Sequence, residues 1–173
     1  VPSDGSAPPV KLNGSLVTGG SVYDWAFAGS PDGRILYLAD QDSNDVVELY
    51  SVPSDGSAPP VKLNPALVAG GNVGFFVSSP DGSRVAYQAD QDQDGVHELY
   101  SVPSDGSAPA VKLNPPLGPL RNVWGFAFSS DGSRVVYRAS QETPFAELYS
   151  VPSERSAGGV KVGAPSASVT PFL

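Results

Sequence analysis

Ser79-Pro80-Asp81-Gly82-Ser83-Arg84-Val85-Ala86-Tyr87, then, after an acidic stretch, Glu98-Leu99-Tyr100-Ser101-Val102-Pro103-Ser104-Asp105-Gly106: this run of sequence decides the fold. Val85, Tyr87 and Ala89 stand at i, i+2 and i+4, the spacing that puts three side chains on one face of a β-strand. Pro-Asp-Gly ahead of them is a turn signal, with glycine at the place that needs a positive φ. The same order of turn, strand, acidic loop and strand recurs on either side. Ser30-Pro31-Asp32-Gly33 leads into Arg34–Ala39 and Glu48–Val52, and Ser129-Ser130-Asp131-Gly132 leads into Arg134–Ala139 and Glu147–Val151.

Working outward, a second block confirms the repeat. Val1–Asn13 reads Val-Pro-Ser-Asp-Gly-Ser-Ala-Pro-Pro-Val-Lys-Leu-Asn and returns unchanged at Val52–Asn64. It returns again at Val102–Asn114 with Ala110 in place of Pro60, and in altered form from Val151. A period of roughly 50 residues lies in the range of propeller blades and above that of leucine-rich or ankyrin units. Each unit holds an aromatic stretch (Trp25 to Phe27, Phe75 to Val77, Trp124 to Phe128), the Arg-Val-x-Tyr strand, the Glu-Leu-Tyr-Ser-Val strand and a short Val-Lys-Leu strand. Four short strands joined by tight turns predict one antiparallel up-and-down sheet per repeat. Leu36, Ala86 and Val136 give the face opposite the tyrosines an apolar character too. A sheet stacked between two neighbours needs that, whereas a sheet with one face in water alternates apolar with polar. The expected fold is therefore all-β, a set of β-propeller blades. Residues 1–14 are expected to be the outer strand of a preceding blade, 15–64, 65–114 and 115–165 three blades, and 166–173 a tail. A chain that opens inside a repeat copy is expected to belong to a larger or oligomeric propeller.

Composition narrows the functions. Ten Lys and Arg against 18 Asp and Glu leave a net charge of −8, the wrong sign for a nucleic-acid partner. No cysteine is present, which removes disulfides, thiol nucleophiles and thiolate metal sites. A single histidine, His97, excludes a multi-histidine zinc site. No apolar run approaches the ~18 residues of a membrane span, and 19 Gly with 18 Pro interrupt any long helix. Serines are plentiful but repeat with the turns, and His97 occurs in one repeat only. A catalytic site is needed once, so this repetition speaks for structure, and no catalytic residue is assigned.

The run from Ser79 to Tyr87, through the Asp-rich loop to Glu98–Val102 and Ser-Asp-Gly, resembles the TolB-type propeller repeat, three times over and along nearly the whole chain. The resemblance implies a binding or gating scaffold. Family members include periplasmic translocation components, cell-surface proteins and propellers fronting serine peptidases. It implies a non-catalytic scaffold for protein interaction or assembly at an extracellular, cell-surface or periplasmic location. The alternative it leaves open is the substrate-gating propeller of a larger secreted serine hydrolase. A protein partner or further copies of this chain, joined head to tail as a ring or filament, are the expected partners.

The acidic loops are the candidate metal sites. Asp90, Asp92, Asp94 and Glu98 in the second repeat, and Asp40, Asp42, Asn44 and Glu48 in the first, place oxygens at positions 1, 3, 5 and 9. Ca²⁺ takes six to eight oxygen ligands, and alternate positions of a tight loop point inward together. The pattern resembles the calcium hairpins of integrin-type propellers, and Ca²⁺ is the expected cofactor. The competing reading is a solvated hairpin tip that guards against edge-to-edge pairing. The recurring aromatics are expected in the core between blades. Arg34, Arg84 and Arg134 are expected as strand-edge charges or salt-bridge partners.

Overall fold

A computed structural model describes residues 5–154 and 160–162; the expected tail 166–173 and the end of the third repeat lie outside them. Twelve strands form three separate four-stranded antiparallel sheets, each with its strands in chain order. Blade 1 comprises β1 (Val22–Gly29), β2 (Arg34–Ala39), β3 (Glu48–Pro53) and β4 (Val61–Lys62). Blade 2 comprises β5 (Val73–Ser78), β6 (Arg84–Ala89), β7 (Glu98–Pro103) and β8 (Val111–Lys112). Blade 3 comprises β9 (Val123–Phe128), β10 (Arg134–Ala139), β11 (Glu147–Pro152) and β12 (Val160–Val162).

The turns form as their residues require. In the first turn of each blade, the N–H of Gly33, Gly82 or Gly132 donates to the carbonyl of Ser30, Ser79 or Ser129 at 2.9–3.0 Å, and each glycine has φ between +71° and +83°. Register follows directly. The β2–β3 pairing sets Tyr37 opposite Tyr50, β6–β7 sets Tyr87 opposite Tyr100, and β10–β11 sets Tyr137 opposite Tyr149. The facing rings stack at 5.2–5.4 Å between centroids. The repeated arginines brace the same two strands, since Nε of Arg34, Arg84 and Arg134 donates to Oγ of Ser51, Ser101 and Ser150 at 2.6, 3.0 and 2.7 Å.

Both faces of blades 1 and 2 carry core, as expected for a stacked sheet, and blade 3 carries it on its tyrosine face. Leu36, Leu38, Leu49 and Leu63 of blade 1 pack with Val85, Tyr87, Tyr100 and Val102 of blade 2. Ala86, Leu99 and Leu113 of blade 2 pack in the same way with Val135, Tyr137, Tyr149 and Val151 of blade 3. Each tyrosine face therefore looks back toward the preceding blade and each leucine face looks forward. Among the described residues no sheet covers the tyrosine side of blade 1; Tyr37, Ala39, Tyr50 and Val52 there cluster with Leu12 and Ile35.

Candidate functional site

The acidic hairpins sit between the second and third strands of each blade, and the structure separates their oxygens. Asp40 accepts the N–H of Ser21 on Oδ1 (2.6 Å) and that of Asp45 on Oδ2 (3.1 Å). Asp90 does the same with Asn72 (2.5 Å) and Gly95 (3.0 Å). One oxygen of each carboxylate thus ties the hairpin to the start of its own blade, and the other closes the hairpin itself. The hydrogen bond from Ser21 holds Asp40 below the ordinary carboxylate range. Positions 3 and 9 turn the other way, toward a lysine. Lys62 Nζ lies 3.0 Å from Asp42 and 2.9 Å from Glu48, and Lys112 Nζ lies 2.6 Å from Asp92 and 2.5 Å from Glu98. Lys161 repeats the arrangement with Glu142 (3.5 Å) and Glu147 (2.7 Å).

In this structure the oxygens of the loops expected to hold Ca²⁺ take partners within the protein. Asn44 is drawn to Asp45, to which its Nδ2 donates at 2.6 Å, and Asp94 is exposed at the hairpin tip. Among the described residues no three His, Cys, Asp or Glu side chains are gathered to hold a metal ion. In both loops the protein supplies a cation of its own. The ammonium group lies between the carboxylates, and Glu98 is further occupied by Tyr100 O–H, Asn114 Nδ2 and Leu117 N–H. Burial alone would lower the pKa of Lys62 and Lys112, but the hydrogen bonds to the two carboxylates outweigh it and raise both. Burial, with Glu48 or Glu98 alongside, also pushes the Tyr50 and Tyr100 phenols up. Sequence reasoning passed over these lysines. The signal was available: one Lys recurs in every Val-Lys copy, on the strand that pairs with Glu-Leu-Tyr.

The seam between blades is built from a repeated clamp. Val47 N–H donates to Asn72 Oδ1 (2.8 Å) while its carbonyl accepts Val73 N–H (2.9 Å). His97 makes the same pair with Asn122 (2.7 Å) and Val123 (2.9 Å), so its backbone serves the seam. At the opposite end of the strands the turns interlock, with Ser104 Oγ donating to Asp32 at 2.7 Å. Gln88 Nε2 of blade 2 also donates to the Val123 carbonyl at 2.6 Å.

Among the described residues, both ends of the stack lack this cover. Leu49 and Leu99 are 0% exposed, whereas Leu148, the same residue of the repeat, is 45% exposed. Val73 and Val123 are 1% and 0% exposed, whereas Val22 is 36% exposed. Phe76 is buried, whereas Phe27, also opposite the strand tyrosine, is 65% exposed. The aromatics thus depart from the expected uniform core. Phe75 and Trp124 are about half exposed because irregularities at these points in the β5–β6 and β9–β10 pairings re-aim the alternation, as bulges do. Phe75 meets Phe126 edge-on at 5.6 Å, and the Arg138 guanidinium lies 5.2 Å from the Trp124 ring. The side chain of Trp25 lies outside those described. A cavity of about 180 Å³ opens among Ala26, Phe27, Leu38, Phe75 and Phe76.

No protein-family model and no curated protein matches the chain. Solved structures do. The "putative TolB" of Agrobacterium tumefaciens is 19% identical with a TM-score of 0.60, over 83% of this chain and 47% of that one. An oligogalacturonate lyase in complex with manganese is 16% identical with a TM-score of 0.50, over 82% of this chain and 36% of that one. The chain spans less than half the length of either. At such identities the likeness shows the fold, which is that of TolB-like propeller blades.

Proposed function

We propose that these three TolB-like blades form a non-catalytic scaffold that binds protein through the open faces at the ends of the stack. The observation that carries this reading is the gradient in one repeated residue, Leu49, Leu99 and Leu148, from fully buried to 45% exposed. An apolar sheet face left in water favours association, and exposed strand edges offer the hydrogen bonds to direct it. Three sheets also fall short of the about four to eight blades of closed propellers. A setting outside the cytoplasm, at the cell surface or in the periplasm, accompanies this reading through the TolB-type resemblance. The partner is further blades of the same kind, supplied by a second copy of this chain.

Size-exclusion chromatography with light scattering tests the reading. The expected result is a mass well above the 17.8 kDa of one chain, rising with micromolar concentration. A folded species of single-chain mass throughout that range would overturn it.

A further inference from the structure

Four residues near the start of the chain form half of a joint. In blade 1, Leu63 N–H donates to the Leu49 carbonyl at 2.8 Å and Leu49 N–H donates to Asn64 Oδ1 at 2.8 Å. Asn64 Nδ2 closes the arrangement on the Pro65 carbonyl at 2.9 Å, and Lys62 holds Glu48. Blade 2 repeats it with Leu113, Leu99, Asn114, Pro115, Lys112 and Glu98. Val-Lys-Leu-Asn is thus a docking strand whose complement is Glu-Leu: a carboxylate, then a residue presenting both its N–H and its C=O.

Val10-Lys11-Leu12-Asn13 has the same sequence and the same shape, without that complement. Asn13 Nδ2 donates to the Gly14 carbonyl at 2.9 Å, the same closing bond. A Cβ on Gly56 would lie 2.6 Å from Val10 Cγ1 and 3.6 Å from Leu12 Cδ2, and a Cβ on Gly106 would meet Val61 and Leu63 at those same distances. The segment therefore sits against blade 1 as Val61 and Leu63 sit against blade 2. It pairs with no strand among the described residues. Nor do Leu12 N–H, Asn13 Oδ1 and the Lys11 ammonium find a partner among them.

We propose that Val10–Asn13 docks on β11 of a second copy of this chain, taking the place of that copy's β12. This rests on the scaffold reading above and names its joint. β11 carries the complement, Glu147-Leu148, and its own outer strand is the altered copy. There Val160-Lys161-Val162 is followed in sequence by Gly163 instead of asparagine, so no side-chain amide is available for Leu148 N–H. Lys161 holds Glu147 at 2.7 Å, and Lys11 replaces it charge for charge while Asn13 adds the missing acceptor. The exchange also lays the open tyrosine face of one blade 1 (Val22, Phe27, Ile35) on the open face around Leu148 of the other copy, as at the two internal seams. Two copies supply six sheets, within the range of closed propellers; an open chain of copies uses the same joint.

Cysteine placement reads the joint directly, because the chain has no cysteine of its own. Leu12 and Leu148 stand opposite each other in the register that Leu63 and Leu49 adopt, and both are only partly buried, so Leu12→Cys and Leu148→Cys each add one thiol at little cost to folding. Circular dichroism verifies the fold of each variant. Mixed and oxidised, the two are expected to form a 12–148 disulfide between chains at least about tenfold in excess of either homodimer, and Asn13→Ala is expected to weaken self-association about tenfold. Association of the parent chain with no mixed disulfide and no effect of Asn13→Ala overturns the strand exchange and leaves the scaffold reading standing. A single-chain mass for the parent chain overturns both.

Discussion

Lys112 lies between the nearly buried Glu98 and the half-exposed Asp92, and its removal leaves Glu98 desolvated beside a like charge. Breaking such a pair costs several kcal/mol when both groups are buried, and less where one partner meets water. Lys112→Met is expected to cost about 2–3 kcal/mol and Lys62→Met less, since Lys62 is 35% exposed against 19% for Lys112. Urea midpoints at constant slope measure both, and equal effects would contradict the ordering. Acid acts on a different set. A backbone hydrogen bond from Ser21 lowers Asp40, and serine hydroxyls lower Asp81 and Asp131, the last from 3.8 to about 2. A carboxylate depressed in the folded state adds stability that is complete above its ordinary pKa and lost as pH falls through the folded value. Thermal melts are expected to be flat from about pH 5 to 7 and to drop from about pH 4 toward 2; a melting temperature that rises on acidification would refute this.

Within an element, the same residue of the repeat is held by different neighbours. Gly33 and Gly82 both have positive φ, but a Cβ on Gly33 meets nothing within 4 Å while one on Gly82 runs into the Asp32 backbone of the neighbouring turn. Gly33→Ala is expected to cost about 1 kcal/mol, the price of the left-handed conformation alone. Gly82→Ala is expected to cost clearly more, because the seam between blades 1 and 2 must shift; equal losses of melting temperature would show that the turns do not interlock. The acidic hairpins behave as closed elements too. With Asp90 committed to two backbone N–H groups and Glu98 to Lys112, millimolar calcium is expected to leave the melting temperature where a chelator leaves it. A rise of several degrees with calcium, by mass action, would contradict this and support the metal reading.

Across the whole molecule, burial depends on position in the stack more than on residue type. Leu49→Ala and Leu99→Ala each empty a fully buried site and are expected to cost about 2–5 kcal/mol. Leu148→Ala is expected to cost under about 1 kcal/mol in the isolated chain, since the side chain is already 45% exposed and much of its burial remains to be gained on association. Denaturation at low and at high protein concentration separates the two cases. Only the Leu148 variant should lose the stabilisation that concentration brings, and a full-sized loss for Leu148→Ala in dilute solution would contradict the open face.

The sequence by itself determined the blades, because every part of a blade is local. Alternation over six residues, a glycine at the positive φ of each first turn, and a period near 50 sufficed to place the strands from Arg34–Ala39 to Glu147–Val151 and to pair them in order. It also marked Val10–Asn13 as a copy of Val61–Asn64, the segment that holds the outer strand β4. Only the tertiary structure decided where each charge goes. Asp40 and Glu48 look alike in a loop read as a ligand set, but one caps backbone N–H groups of its own blade and the other meets a lysine 14 residues on, a contact created by strand pairing. The aromatics divide for a related reason. Pattern made Phe27 and Phe76 equivalent, yet burial of a face comes from the neighbouring sheet, and the chain sets a full sheet against Phe76 and none against Phe27.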